Sequence, residues 1–293
     1  MRAAVIVNPT KHDNMAKFQA RVGEAMSRHG WDEPLWLETT PRDPGQGLAR
    51  SAVAAQVDLV LACGGDGTVT ACAEAVAGSG IPLGVLPAGT GNLLARNLGL
   101  PLGLEPALAT ALTGADRPLD MGSANGHPFV TMAGIGLDAE ILDSTGEPVK
   151  RRLGWAAYVL SALRHLQARP VRTSLRADGG PVLRRRASSV IVGNVGSLQG
   201  GVALLPEARP DDGVLDLMVL TAHGWAGWLA LTMDVLLRRD RTRHIARVQF
   251  RQLRVDLDRP QLWELDGEVM GSTRALLIVV QPGALLVRVP ASP

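Results

Sequence analysis

The sequence predicts an α/β + β fold. A parallel-sheet α/β domain covers residues 1–120, and a second, β-rich, mostly antiparallel sandwich covers 121–293, with the last strand free to return to the first domain. Three observations carry this. Short apolar runs alternate with helix-length segments through the first 120 residues, as in βαβ units around a sheet covered on both faces. After about Pro118 the chain turns to β-type runs joined by Gly and Asp-Gly turns, such as Asp178-Gly179-Gly180 and Asp212-Gly213. Two of the early strands also run into glycine loops, on the sheet edge where ligands of open α/β folds bind.

The elements follow in order. Ala3–Val7 reads as an apolar strand stopped by Asn8-Pro9, and Met15 to Arg28 as a helix ending before Gly30. A short strand is expected at Leu35–Leu37 and a helix at Leu48–Ala55. The apolar run 59–62 predicts a buried strand, Val69–Ala77 a helix closed by Gly78, and Ile81–Leu86 a strand stopped by Pro87. In the second domain strands are expected at 129–132, 188–193, 214–220, 247–257 and 275–280, interrupted by helical segments near 152–168 and 225–239.

Composition sets outer bounds. With 46% hydrophobic and 20% charged residues among 293, wholesale disorder is excluded. No apolar run reaches the roughly 18–20 residues of a membrane-spanning helix; Trp225 to Leu237 is too short and contains Asp234. The start of the chain lacks the long apolar stretch of a secretory signal, so a cytoplasmic protein is expected. Two cysteines, Cys63 and Cys72, exclude a disulfide scaffold. The six histidines show no metal-binding spacing, and Ser188, Ser189 and Ser197 lack the G-x-S-x-G setting of a hydrolase.

The net charge of +2 hides unlike halves: residues 1–120 carry −3 and residues 121–293 carry +5. Lys150 to Arg186 holds ten basic residues and one acid, Asp178. Such a stretch is either a solvated surface or a contact for an anionic partner.

The strongest local signal is Cys63-Gly64-Gly65-Asp66-Gly67-Thr68-Val69, between a buried strand and a helix. Glycines permit close backbone approach, and the helix that follows offers free N–H groups to an anion. A carboxylate there, Asp66, suits a site where Mg²⁺ or a proton acceptor meets phosphate; the alternative is a tight structural turn. A second loop, Leu86-Pro87-Ala88-Gly89-Thr90-Gly91-Asn92, follows the next strand, and Asn8-Pro9-Thr10 ends the first. Three polar strand ends on one sheet edge point to a nucleotide or phosphate site.

Gly64–Thr68 (GGDGT) followed by Pro87–Asn92 (PAGTGN) resembles the catalytic domain of the diacylglycerol kinase and sphingosine kinase family. Further segments fall in the family's order: Ala133 to Ala139, Asp211-Asp212-Gly213, and Leu265-Asp266-Gly267-Glu268. NAD kinases share the GGDGT loop, and the first domain is expected to be NAD-kinase/phosphofructokinase-like, but the PAGTGN segment sets this chain apart from them.

The resemblance implies ATP- and Mg²⁺-dependent phosphorylation of a lipid hydroxyl, diacylglycerol first. A sphingoid base or other lipid alcohol, NAD, and a non-catalytic binding role are the alternatives. It implies a nucleotide site of Asn8, Pro9, Thr10, Lys11, Thr39 or Thr40, Gly64, Gly65, Asp66, Gly67, Thr68, Val69, Thr70, Gly89, Thr90, Gly91 and Asn92. Glu268 is the expected proton acceptor, with Asp266 beside it, and Asp66 serves in Mg²⁺–phosphate organisation or takes the base role itself. Asp138 is expected at the lipid headgroup. Asp212, or its neighbour Asp211, is expected to hold Mg²⁺ with the backbone carbonyls of Arg209 and Val214.

A lipid substrate implies transient peripheral contact with the inner membrane surface. The helix expected at 152–168, with Trp155, Val159, Leu163 and Leu166 near one face and Arg151, Arg152, Arg164 and Arg169 around it, is one candidate for that contact. Trp225–Leu237 is the other. No nucleic-acid partner is expected, and a homodimer is compatible with the chain.

Overall fold

The computed structural model describes residues 1–136, 170–197, 204–221 and 245–291. They form two compact units: one built on Met1–Met121, with Ser197 and the chain from Pro282, and one on Gly122–Gly196 and the described residues up to Gln281.

The first unit has a parallel sheet. Strand β1 (Ala3–Val7) lies between β2 (Leu35–Glu38) and β3 (Leu59–Gly64), and β4 (Leu83–Pro87) follows β3, all parallel. Every residue of β1 and β3 is buried, as a sheet covered on both faces requires. The chain winds from β1 to β2 on one side and returns to β3 on the other, so the switch point falls at the carboxyl ends of β1 and β3. There the Asn8 N–H donates to Cys63 O at 2.9 Å.

Helix α1 (Met15–Arg28) buries Phe18, Val22, Ala25 and Met26, one stripe at helical spacing, and its Asn14 cap accepts from the Lys17 N–H. Helix α2 (Gln46–Ala54) starts two residues before the apolar pattern does. Asp43 explains this, because its Oδ1 accepts from the N–H groups of Gly45 and Gly47. Helix α3 (Asp66–Val76) likewise begins three residues before Val69, directly out of the glycine loop. Two further helices follow β4, α4 (Leu93–Asn97) and α5 (Leu104–Thr113).

Strand β5 (Ala115–Ala124) carries the chain into the second unit. Two strands expected from sequence divide there. The run 129–132 becomes the end of β6 (His127–Phe129) and the start of β7 (Met132–Gly136), because the N–H groups of Val130 and Thr131 donate to the Asp266 carboxylate instead of a ladder. The run 247–257 becomes β12 (Ile245–Phe250) and the start of β13 (Gln252–Leu265). At that break Asp178 accepts from both Arg251 and Gln252.

Between these lie β8 (Val171–Ala177), β9 (Leu183–Ala187), β10 (Ser189–Gly193) and β11 (Leu215–Leu220). The long final strand, β14 (Glu268–Val289), ends in the first unit, where Val287 pairs parallel with Leu83. The second unit is antiparallel in the order β12-β11-β10-β7-β13-β14, with β8 and β9 added on β13. Its core includes Phe129, Phe250, Leu253, Val255, Leu276 and Ile278. The helical segments expected at 152–168 and 225–239, and Asp138, lie outside the described residues.

Candidate active site

In the first unit the two glycine loops lock together at the carboxyl ends of β3 and β4. An added Cβ on Gly89 would lie 2.7 Å from the Gly65 Cα, so backbone packs on backbone and a side chain at Gly89 has no room. Asp66 closes the lock. Its Oδ2 accepts from the Asn92 N–H at 2.9 Å and its Oδ1 from the Leu93 N–H at 2.5 Å. Those N–H groups open α4, so the carboxylate caps that helix from the neighbouring loop. Asn92 holds a left-handed conformation (φ 49°), and its side chain accepts from the Gly89 N–H and donates to Gly89 O.

The remaining groups divide by availability. The N–H groups of Asp66, Gly67 and Thr68 open α3, where a helix has no acceptor of its own to offer. The side chains of Thr90 and Lys11 are exposed and, among the described residues, have no hydrogen-bond partner. The Thr10 hydroxyl donates to Asn8 Oδ1 at 2.8 Å, and Pro9 starts the short turn between them. Thr39 is buried, its N–H on Val7 O, while exposed Thr40 makes a small bridge with Asp43. Val69 is buried and enters as core. Gly91 is buried, with its carbonyl accepting from Arg96 Nε. Cys63 sits 3.3 Å from His12 Nε2, but burial pushes its thiol up to about 12, which leaves no nucleophile at neutral pH.

In the second unit Asp266 and Gly267 take positive φ (48° and 89°) in the tight turn between β13 and β14. Asp266, expected beside Glu268 as a catalytic carboxylate, is the anchor of this turn. It accepts from the N–H groups of Val130 (2.8 Å), Thr131 (2.7 Å) and Met132 (2.9 Å) and from the Thr131 hydroxyl (2.5 Å). Burial pushes its carboxyl up, and these four hydrogen bonds oppose the rise. Buried Glu264, which sequence reading missed, steadies the same turn by accepting from the Gly267 N–H at 2.7 Å. The Glu268 side chain is exposed, and among the described residues no hydrogen bond or ion pair reaches it. Only its place after Asp-Gly marks it in sequence.

Asp212 is exposed, and its Oδ1 accepts from the Val214 N–H at 3.2 Å; Arg209 and Asp211 are exposed beside it. No cluster of three metal-binding side chains occurs among the described residues. A second feature missed in sequence is Asp216, 7% exposed, whose Oδ2 has no hydrogen-bond partner. Burial pushes its carboxyl up; a hydrogen bond with Gln249 and the charge of Arg247 oppose this, and the charges of Asp212 and Glu207 add to it.

An α/β unit whose switch point carries two interlocked glycine loops has the build of a nucleotide- or phosphate-binding protein. Residues 2–124 match the diacylglycerol kinase catalytic domain, and residues 131–289 the YegS C-terminal NAD kinase beta sandwich-like domain. The chain is 30% identical over 276 residues to "Diacylglycerol kinase" of Bacillus subtilis, covering 92% of this chain and 90% of that one. It is 36% identical over 279 residues to "Probable lipid kinase YegS-like" of Pseudomonas aeruginosa, with 93% and 90% covered. A diacylglycerol kinase structure from Bacillus anthracis superposes with a TM-score of 0.80 at 25% identity, covering 100% of this chain and 97% of that one. The chain belongs to the diacylglycerol kinase and YegS-like family of lipid kinases, which use ATP.

Two stability outcomes follow. Asp66→Asn leaves one of two N–H groups facing an amide donor, and urea unfolding should show a loss of about 1–3 kcal/mol. An unchanged midpoint would mean that the loop lock is unimportant. Asp266→Ala orphans three backbone N–H groups and a hydroxyl, so a larger loss, about 3 kcal/mol or more, is expected in the same measurement.

Proposed function

We infer that the chain transfers the γ-phosphoryl group of ATP to the hydroxyl of diacylglycerol, giving phosphatidic acid and ADP. The Bacillus subtilis relative, similar over nearly the whole chain, supports the choice of substrate. The observation that carries the catalytic assignment is the contrast within one turn: the Asp266 carboxylate is saturated by four donors, whereas the Glu268 carboxylate is exposed and, among the described residues, unpartnered. A general base must have a lone pair to offer the substrate hydroxyl. In this reading Glu268 takes that proton as the oxygen attacks phosphorus and ADP leaves. The free N–H groups of 66–68, with Thr90 and Lys11, hold the phosphates. Asp66 keeps the two loops in register around them.

The donors near Asp212 suit Mg²⁺, which takes oxygen ligands and retains waters. In this reading Asp212, with the carbonyls of Arg209 and Val214, would hold the ion, and the orphaned Asp216 oxygen is what a cation nearby would satisfy. Bound there, such an ion would compensate for the buried negative charge of Asp216. Among the described residues no helix is long and apolar enough to cross a membrane.

With labelled ATP and a mixed panel of diacylglycerol, sphingoid base and NAD, the label should enter phosphatidic acid, identified by mass. Label in another product would replace the substrate, and no label in any would overturn the reading. Glu268→Gln should lower the rate at least about 10²-fold with an unchanged melting temperature, since the side chain is exposed. For the metal, Mg²⁺ should raise the melting temperature of the wild type. Asp216→Asn should raise that of the metal-free protein by about 2–4 °C and shrink the Mg²⁺ effect; identical Mg²⁺ shifts in both would separate Asp216 from the ion.

A further inference from the structure

The second unit carries a charged sheet face that the catalytic reading does not use. Strands β9, β8 and β13 lie side by side, and their side chains alternate with period two. The inner set, including Val171, Thr173, Leu175, Leu253 and Val255, is buried. The outer set is cationic. Arg172 stands directly opposite Arg186, Ser174 opposite Arg184, and Arg176 opposite Arg254.

Like charges directly opposite in a sheet are destabilising, and here two such pairs share one face. Only Arg254 is compensated, by hydrogen bonds of 2.9–3.1 Å to Asp256. Arg172, Arg176, Arg184 and Arg186 are exposed and have no acidic partner among the described residues. A surface depression of about 300 Å³ lies among Ser174, Arg176, Arg184, Arg254 and Asp256. Beside it, opposite Arg254 on β14, Leu277 is 43% exposed.

We propose that this outer face is a docking surface for a membrane rich in anionic phospholipid, its guanidinium groups meeting headgroup phosphates while Leu277 enters the boundary beneath them. Arginine suits the role because its planar fork binds phosphate oxygens in pairs and it is more weakly hydrated than lysine. A nucleic acid is the other polyanion such a face attracts. The outer positions of the paired strands carry no aromatic side chain on which a base would stack, and an exposed leucine has nothing to meet on a phosphodiester backbone. The choice of a lipid surface accords with the lipid-kinase reading but is tested without turnover.

The experiment is co-sedimentation of the full chain with vesicles of equal parts phosphatidylglycerol and phosphatidylcholine, and with pure phosphatidylcholine. Wild type should bind the anionic vesicles, weakening as salt rises, and leave phosphatidylcholine in the supernatant. A variant with Arg172, Arg176, Arg184 and Arg186 all changed to Gln should lose on the order of a hundred- to a thousandfold in partition. Its melting temperature should be unchanged or higher, because repulsion is removed. A control with Lys17, Arg28, Arg42 and Arg50 changed to Gln, equal in charge, should bind as wild type does. ATP-dependent labelling of a short-chain diacylglycerol dispersed in detergent should be unaffected in the four-arginine variant, so failed docking and a failed kinase reading are told apart. The proposal is overturned if wild type ignores anionic vesicles or the two quadruple variants lose binding equally. It is also overturned if the arginine face proves to serve duplex DNA or single-stranded RNA at matched charge in preference to vesicles.

Discussion

Where a chain leaves a strand to form a functional loop, it frees N–H groups that neither ladder nor helix can use. A buried one without an acceptor costs about 1–3 kcal/mol. In both units an aspartate meets that demand. Asp66 takes the N–H groups of Asn92 and Leu93, Asp266 those of residues 130–132, and Asp178 those of Arg251 and Gln252. Asp120 does the same for Gly283. Each carboxylate ties a turn to a segment distant in sequence, and the loops of the site keep their shape because these ties hold.

The same interaction sorts the acids by what is left to them. A carboxylate with both oxygens on backbone N–H groups is held in place, its lone pairs already committed to the fold. Asp66 is spent in this way on aligning the two loops. Asp266 is more fully committed still. Glu268 gains by contrast: its neighbour fixes the turn, so it is positioned without spending its own oxygens.

Much of the fold was legible because the first unit obeys local rules. Helix α1 matches its apolar stripe and its Asn14 cap, and strands β1 and β3 are unbroken apolar runs ended by Asn-Pro and by glycine. The strand breaks at Val130–Thr131 and at Arg251 were not legible, since both stretches have strand-like composition and are interrupted by carboxylates from elsewhere in the chain. The site shows the same limit. GGDGT and PAGTGN announce themselves by glycine spacing, but that Asp66 spans the two, or that Gly89 rests on Gly65, depends on the parallel neighbourhood of β3 and β4. Glu264 and Asp216 carried no signal, being single acids inside strand-like runs.

Charge tells a parallel story in the second unit. In sequence, the ten basic residues between Lys150 and Arg186 read as a polar stretch with no direction. Strand periodicity supplies one: the alternation that buries Val171, Thr173 and Leu175 obliges Arg172 and Arg176 to share the opposite face, and antiparallel register sets Arg184 and Arg186 beside them. Arg185, between them, pairs with Thr173 on the other side of the hairpin. A solvated surface gains nothing from stacking like charges opposite one another, and the register that buries Val171, Thr173 and Leu175 also fixes the Arg172–Arg186 pairing. The array is therefore tolerated by the fold, and the four uncompensated guanidinium groups leave a positive field that an anionic surface at that face would neutralise.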